Sequence, residues 1–135
     1  GDKMSKSRNN TIELRMSADE TAKRIKKAVT DSERFIAFDP ENRPEVSNLL
    51  TLAGLAQGRS PREIAEEIGD AGAGRLKAVV TESLNDFLAP IRTRREEVEA
   101  DPGYVEKVLH EGNERANAMA DATLDEVRKA MKMVY

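Results

Sequence analysis

Residues 75–91, RLKAVVTESLNDFLAPI, decide the fold because their apolar positions follow the period of an α-helix. The stripe recurs every three or four residues and comprises Leu76, Val79, Val80, Ser83, Leu84, Phe87, Leu88 and Ile91. It predicts a long helix over 75–99 with a kink at Pro90. Asp101 and Pro102 supply a cap and a first-turn proline for a second long helix, and because the joining turn is short, the two should pack antiparallel. The apolar residues of that second helix are Val105, Val108, Leu109, Gly112, Ala116, Met119, Ala120, Thr123, Val127 and Met131.

Upstream of this stretch, Ser17 and Glu20 have the spacing of a capping box, in which each side chain binds the other residue's backbone amide. The box predicts a helix over 18–29. Its apolar side is formed by Ala22, Ile25 and Val29. Residues 30–43 break the helical pattern and end in a turn bracketed by two prolines, so a hinge between two structural units is predicted there.

Two further helices are predicted between this break and the long ones. Pro44 suits the first turn of a leucine-rich helix that Gly58 ends, and Ser60 opens a second capping box on a helix that Gly69 stops. The leucines predicted to be buried are Leu49, Leu50, Leu52 and Leu55. Residues 70–74 are predicted to form a flexible connection or a tight turn.

The composition of the 135 residues favours an all-helical protein. Lys and Arg number 22 against 25 Asp and Glu, a net charge of −3, and only 4% of the residues are aromatic. The chain has no cysteine and a single histidine, which excludes disulfide frameworks, thiolate chemistry and a histidine-rich metal site within one chain, so no metal site is predicted. No run resembles a membrane span or a signal peptide, so we expect a cytoplasmic protein without a membrane partner.

Several polar clusters have a structural interpretation beside a functional one. The basic runs at 23–27 and 92–95 are either solvated helix faces or phosphate contacts, and the pattern leaves both open. The glutamates at 66–67 and 96–97 have polar neighbours and are expected to be solvated rather than paired for acid–base work. His110 lies off the apolar stripe and is predicted to be a partly exposed structural residue. The glycines at 69, 72 and 74 lack the pattern of a phosphate-binding loop and predict a turn.

The opening segment carries the most specific signal. Lys3 and Lys6 are interleaved with Ser5 and Ser7 in a stretch through which no helical apolar face can be drawn, so a loop is expected. Two ammonium groups and two hydroxyls on such a loop suit the stabilisation of charge that develops on transferring phosphates.

These residues also carry a family resemblance. Lys3, Met4, Ser5, Lys6 and Ser7 form the complete KMSKS signature of class I aminoacyl-tRNA synthetases. Later blocks are similar, in the same order, to the carboxy-terminal part of the bacterial tryptophanyl-tRNA synthetases. These blocks are AVTDS at 28–32, DPENRPEVSNLL at 39–50, GRSP at 58–61 and LAPIR at 88–92. The tyrosyl enzymes are less well matched by the second block.

The resemblance implies three parts: a KMSKS loop and connector at 1–16, a connecting helix and hinge at 17–43, and an α-helical anticodon-binding domain at 44–135. The fold class it implies is all-α, an antiparallel helical bundle preceded by a mobile KMSKS loop and one helix. It also implies an α/β Rossmann domain upstream of this chain, so that the chain is a fragment and inactive alone.

For the site, the resemblance implies that the two signature lysines are catalytic, because they would contact the ATP phosphates and stabilise pyrophosphate as tryptophanyl-adenylate forms. The implied ATP-binding residues are Lys3, Met4, Ser5, Lys6 and Ser7. The implied tRNA contacts are Arg92, Arg94 and Arg95. The intact enzyme would be a homodimer that uses L-tryptophan, ATP with Mg²⁺, and the tryptophan tRNA.

Two alternatives stay open. One is a tyrosyl or other class I synthetase, and the other is a non-catalytic paralogue that binds RNA and keeps the signature as a relic. If an upstream domain is absent, residues 1–10 should be poorly packed, and the stripe of Ala22, Ile25 and Val29 should be partly exposed.

Overall fold

The computed structural model describes residues 10–133, and all the regular structure in that range is helical, with no strand. The helices are α1 Ala18–Lys26, α2 Pro44–Gln57, α3 Pro61–Ile68, α4 Gly72–Glu99 and α5 Pro102–Ala130, with a 3₁₀ turn at Gly69–Ala71. The all-α prediction is therefore confirmed for the described residues. The chain divides into two compact units, Gly1–Thr93 and Arg94–Tyr135.

The capping box that starts α1 forms as predicted. The Ser17 hydroxyl accepts the Glu20 N–H at 3.2 Å, and the Glu20 carboxylate accepts the Ser17 N–H at 2.8 Å. The helix ends at Lys26, three residues before the predicted Val29, because the Lys27 and Ala28 amides bond to carbonyls three residues back and tighten the last turn. Ile25 is buried and Val29 is 73% exposed. The predicted apolar side is thus partly exposed, but Val29 lies beyond the helix.

Helices α2 and α3 have the predicted ends. Gly58 ends α2 in the left-handed region at φ 67°, which a residue without a side chain adopts readily. The second capping box is wrong, since the Ser60 hydroxyl accepts the N–H of Arg62 at 3.3 Å instead of that of Glu63. The burial predicted for Leu55 is also wrong, because Leu55 lies on the helix side opposite to the buried Ala53 and is 73% exposed.

The turn between α2 and α3 depends on a close approach at Gly54. A β-carbon at this position would lie 2.8 Å from the Arg59 carbonyl oxygen and 3.2 Å from the Pro61 ring. Because glycine has no β-carbon, α2 can bring its last turn directly against the start of α3.

The core of the first unit is formed by α1 to α4 together with one residue from the predicted hinge. Its members are Ile25, Ile36, Val46, Leu49, Leu50, Ala53, Ile64, Ala65, Ile68, Leu76 and Val80. Ile36 is only 1% exposed and its N–H donates to the Gly69 carbonyl at 2.7 Å, while Arg34 donates to the Asp70 carbonyl at 2.9 Å. Residues 30–43 therefore pack in the same compact unit as α2 and α3, and their role as a hinge stays a prediction.

Helix α5 begins at Pro102, where its signals indicate, whereas α4 begins earlier than predicted. Helix α4 starts at Gly72, three residues earlier than predicted, because the connection before it consists only of the 3₁₀ turn Gly69–Ala71. At the start of α5, the Asp101 carboxylate accepts the N–H of Tyr104 at 3.0 Å. No residue of α5 is buried, and its apolar side chains are exposed along the helix, with Met119 at 74%. Antiparallel packing of the long helices stays a prediction.

Candidate functional site

The predicted catalytic and ATP-binding residues lie outside the described part of the chain, which begins at Asn10. The described residues nearest to them form a short segment at 10–16, which we call the connector. Its Met16 N–H donates to the Glu13 carbonyl at 2.9 Å and forms a turn, and Ile12 packs against the core. Two contacts therefore fix the connector before α1 begins: the packing of Ile12 against the core and the hydrogen bond between Met16 and Glu13.

Arg92 joins α4 to the end of this connector. Its Nε donates to the Met16 carbonyl at 2.8 Å, its Nη2 to the Thr21 hydroxyl at 2.9 Å and its Nη1 to the Asn85 amide oxygen at 3.0 Å. The Asn85 amide nitrogen donates to the Ala18 carbonyl at 3.3 Å. Since charged donors make stronger hydrogen bonds than neutral ones, this cluster is a firm connection between α1 and α4.

The Arg92 cluster was not visible in the sequence. The charge of the run 92–95 left a solvated helix face and phosphate contacts both open, and the resemblance implied RNA contacts there, yet the Arg92 guanidinium faces three protein acceptors. Thr21 is completely buried, although a threonine on a basic helix gives no signal of it. That Arg92 contacts RNA stays a prediction, and its position favours a structural role.

Arg94 and Arg95 have exposed side chains. Arg94 donates to Glu97 at 2.9 Å, which raises the pKa of this guanidinium further, and it lies 5.8 Å from the centre of the Tyr104 ring. Arg95 forms an ion pair with Glu99. Both guanidiniums are thus accessible on a helix face that also carries their carboxylate partners. This arrangement is compatible with either of the two interpretations of the basic run.

A pocket of about 580 Å³ opens between the connector, α1 and the middle of α2. Ile12, Leu49 and Leu52 contribute its apolar surface, and Lys23 and Lys27 are among the cations at its edge. Asn10, the first described residue after the signature, also borders it. Lys23, Arg24 and Lys27 of the basic run therefore line the same pocket as Asn10.

The glutamates at 66–67 and 96–97 are exposed, as predicted, and so is His110. His110 is exposed and lies 3.3 Å from Glu114, and Glu67 is solvated and paired with Arg59, whose hydrogen bond lowers the pKa of that carboxyl group. Among residues 10–133 no group of three or more histidine or carboxylate side chains is arranged to hold a metal ion. No helix in that range is long and apolar enough to cross a membrane.

Comparison with known protein families matches residues 1–89 to the family described as tRNA synthetases class I (W and Y). The match covers well over half of the chain and includes the connector, α1 to α3 and most of α4. The chain therefore belongs to the class I tRNA synthetases, in the family of the tryptophan and tyrosine enzymes.

Curated relatives within this family are tryptophan–tRNA ligases. The ligase of Nostoc sp. is 41% identical over 113 residues, which are 84% of this chain and 34% of that protein. The ligase of Corynebacterium glutamicum is 41% identical over 128 residues, 93% of this chain and 37% of that protein. The chloroplastic and mitochondrial ligase of Arabidopsis thaliana is 36% identical over 132 residues, 96% of this chain and 32% of that protein. The chain spans about a third of the length of these relatives.

Proposed function

We propose that the chain is the carboxy-terminal part of a tryptophan–tRNA ligase, which activates tryptophan with ATP and transfers it from the adenylate to tryptophan tRNA. One observation carries the proposal: tryptophan–tRNA ligases from bacteria and a plant are 36–41% identical to this chain over 84–96% of its length. An upstream Rossmann domain would supply the tryptophan pocket, and the ligase would act as a cytoplasmic homodimer.

In this proposal Lys3 and Lys6 are the catalytic residues of the chain. Their ammonium groups would bind the ATP phosphates and stabilise the negative charge that grows on pyrophosphate as it leaves. Met4, Ser5 and Ser7 would complete the ATP-binding segment. Mg²⁺ would enter with ATP.

The helical part of the chain would contact the tryptophan tRNA. Arg94 and Arg95 are exposed on α4 and would bind phosphates, which are recognised mainly through positive side chains. The basic run of α1 adds a second positive surface beside the pocket. Each arginine would exchange its carboxylate partner for a phosphate.

Charging of tRNA by the whole protein tests the proposal. We expect the protein to attach tryptophan to tryptophan tRNA and to lose pyrophosphate exchange when Lys3 and Lys6 are replaced by alanine. Because the matching family includes the tyrosine enzymes, tyrosine and its tRNA form the second arm, and a preference for them would overturn the assignment. Tight tRNA binding without any charging would instead support a non-catalytic paralogue.

A further inference from the structure

We propose that Arg92 is a positioning residue for the activation step, because it holds the connector from which the KMSKS segment extends. The inference rests on the proposed function. In place of an RNA contact, it gives Arg92 the role of fixing the connector against α4. Thr21 and Asn85 accept hydrogen bonds from Arg92 and help to fix it.

The geometry of the guanidinium supports this role. Arg92 directs three nitrogens to three acceptors, two of which lie 76 and 71 residues away in the sequence. A guanidinium is planar and its donors form a fixed fork, so three such bonds define its orientation and that of the groups it binds. Asn85 links the same two helices a second time through Ala18, and so the contact resists rotation as well as separation.

The position of the contact explains why it would affect chemistry. Met16 is the last residue before the Ser17 cap of α1, and it follows Lys6 by only ten residues. Its carbonyl oxygen is the point at which Arg92 holds the chain. A shift of the connector would therefore move the origin of the segment that carries both catalytic lysines. Misplacement of a catalytic group by about 1 Å costs on the order of a hundredfold in rate.

The proposed reaction has two steps, the activation of tryptophan with ATP and its transfer to tRNA. Comparing their rates distinguishes a positioning role of Arg92 from a general contribution to the stability of the fold. Pyrophosphate leaves only during activation, so the signature lysines act there, whereas transfer of tryptophan from a preformed adenylate releases no pyrophosphate. Loss of positioning should slow activation selectively. Loss of folded protein would lower both rates by the same factor.

The experiment compares Arg92→Gln with Arg43→Gln in the whole protein. Arg43 is a matched control, since its guanidinium also donates three hydrogen bonds, to Asp31 twice and to the Phe35 carbonyl, but none to the connector. We expect Arg92→Gln to lower the rate of pyrophosphate exchange by about tenfold to a hundredfold and to leave single-turnover transfer within about twofold. Arg43→Gln should change the two rates equally. An equal loss in both rates for Arg92→Gln would overturn the inference.

Two further variants test the contact itself. Arg92→Lys keeps the charge but presents one ammonium group to three separated acceptors, so we expect it to resemble Arg92→Gln. Thr21→Val removes one acceptor at nearly constant volume and should slow activation in the same direction by a smaller factor. A normal exchange rate in Arg92→Lys would show that charge alone matters and would contradict the positioning role.

Amide hydrogen exchange on this chain provides a readout that does not depend on activity. In Arg92→Gln the amides of the connector and the first turn of α1 should exchange faster, while those of α2 and α3 keep their protection. If the unsubstituted whole protein shows no pyrophosphate exchange, the proposed function fails, and this measurement still decides whether Arg92 holds the connector. If the connector amides of Arg92→Gln exchange hydrogen at an unchanged rate, the inference that Arg92 holds the connector is overturned as well.

Discussion

Arg43 and Asp31 form a two-pronged ion pair in which Nε lies 2.7 Å from Oδ2 and Nη2 lies 2.7 Å from Oδ1. The third donor of Arg43 reaches the Phe35 carbonyl, so one side chain closes the non-helical segment between α1 and α2. This hydrogen bond from Arg43 lowers the pKa of Asp31, and the same bond raises the pKa of Arg43.

The first prediction concerns this ion pair and acid. A carboxyl group with a lowered pKa stabilises the fold above its ordinary pKa, and that contribution disappears as the pH falls through its folded value. We expect Asp31→Asn to reduce the melting temperature at pH 7 and to flatten its decline below about pH 4. Thermal melts between neutral and acidic pH measure both effects. Glu66→Gln, a change at an exposed carboxylate, serves as the control, and an equal flattening there would contradict the assignment to Asp31.

The second prediction concerns the close approach at Gly54. Gly54→Ala would place a methyl group 2.8 Å from the Arg59 carbonyl oxygen, and overpacking of this kind costs about 1–3 kcal/mol. Denaturant unfolding measures the loss. Gly74→Ala is the matched control, since it is also in a helix but its β-carbon would meet nothing within 4 Å, and we expect it to stabilise by about 0.5–1 kcal/mol. Equal unfolding midpoints for the two variants would refute the close packing of Gly54 against Arg59.

The third prediction separates two leucines of the same helix. Leu50 is completely buried and Leu55 is 73% exposed. Leu50→Ala should therefore cost about 2–5 kcal/mol, because it removes buried methyl groups and leaves a cavity. Leu55→Ala should change the free energy of unfolding by no more than about 0.5 kcal/mol. A large loss at Leu55 would mean that another surface covers it.

The fourth prediction concerns tRNA binding by the whole protein. Arg94→Gln and Arg95→Gln should each weaken tRNA binding and reduce the slope of affinity against salt concentration by about one unit, because each removes one phosphate contact. Filter binding over a series of salt concentrations measures the slope. Arg128→Gln in α5 provides the comparison, since Arg128 is also exposed and paired with a carboxylate, Asp125. Identical slopes for all three variants would remove Arg94 and Arg95 from the proposed interface.

The parts of the fold that the sequence predicted depend on short-range chemistry. Ser17 and Glu20 satisfy each other's amides across three residues, and Gly58 adopts a left-handed conformation at the end of α2, so both signals act within one turn of the chain. Membership of the synthetase family also followed from consecutive residues, beginning with the five of the signature. These features need no knowledge of what packs against them.

Predictions that depend on distant partners were less successful. Leu50 and Leu55 lie in the same leucine-rich helix and were both predicted to be buried. Only Leu50 is buried, because it lies on the side of the helix that faces the core. Helix α1 ends at Lys26 rather than at Val29, although the apolar pattern continues. Apolar spacing gives a helix an inner side, whereas the last turn is set by competing hydrogen bonds.

At the candidate site, Arg92 shows the same difference between what local sequence indicates and what distant partners decide. Its place in a basic run left a solvated helix face and a phosphate contact both open, and only the family resemblance implied a contact with RNA. Met16 and Thr21, which accept its hydrogen bonds, lie more than 70 residues away, and folding alone brings them within reach. Local sequence therefore determined the all-helical class, the caps at Ser17 and Gly58, and the family. The tertiary structure decided that Arg92 faces the connector, since hydrogen bonds act over about 3 Å and depend on which side chains the core brings together.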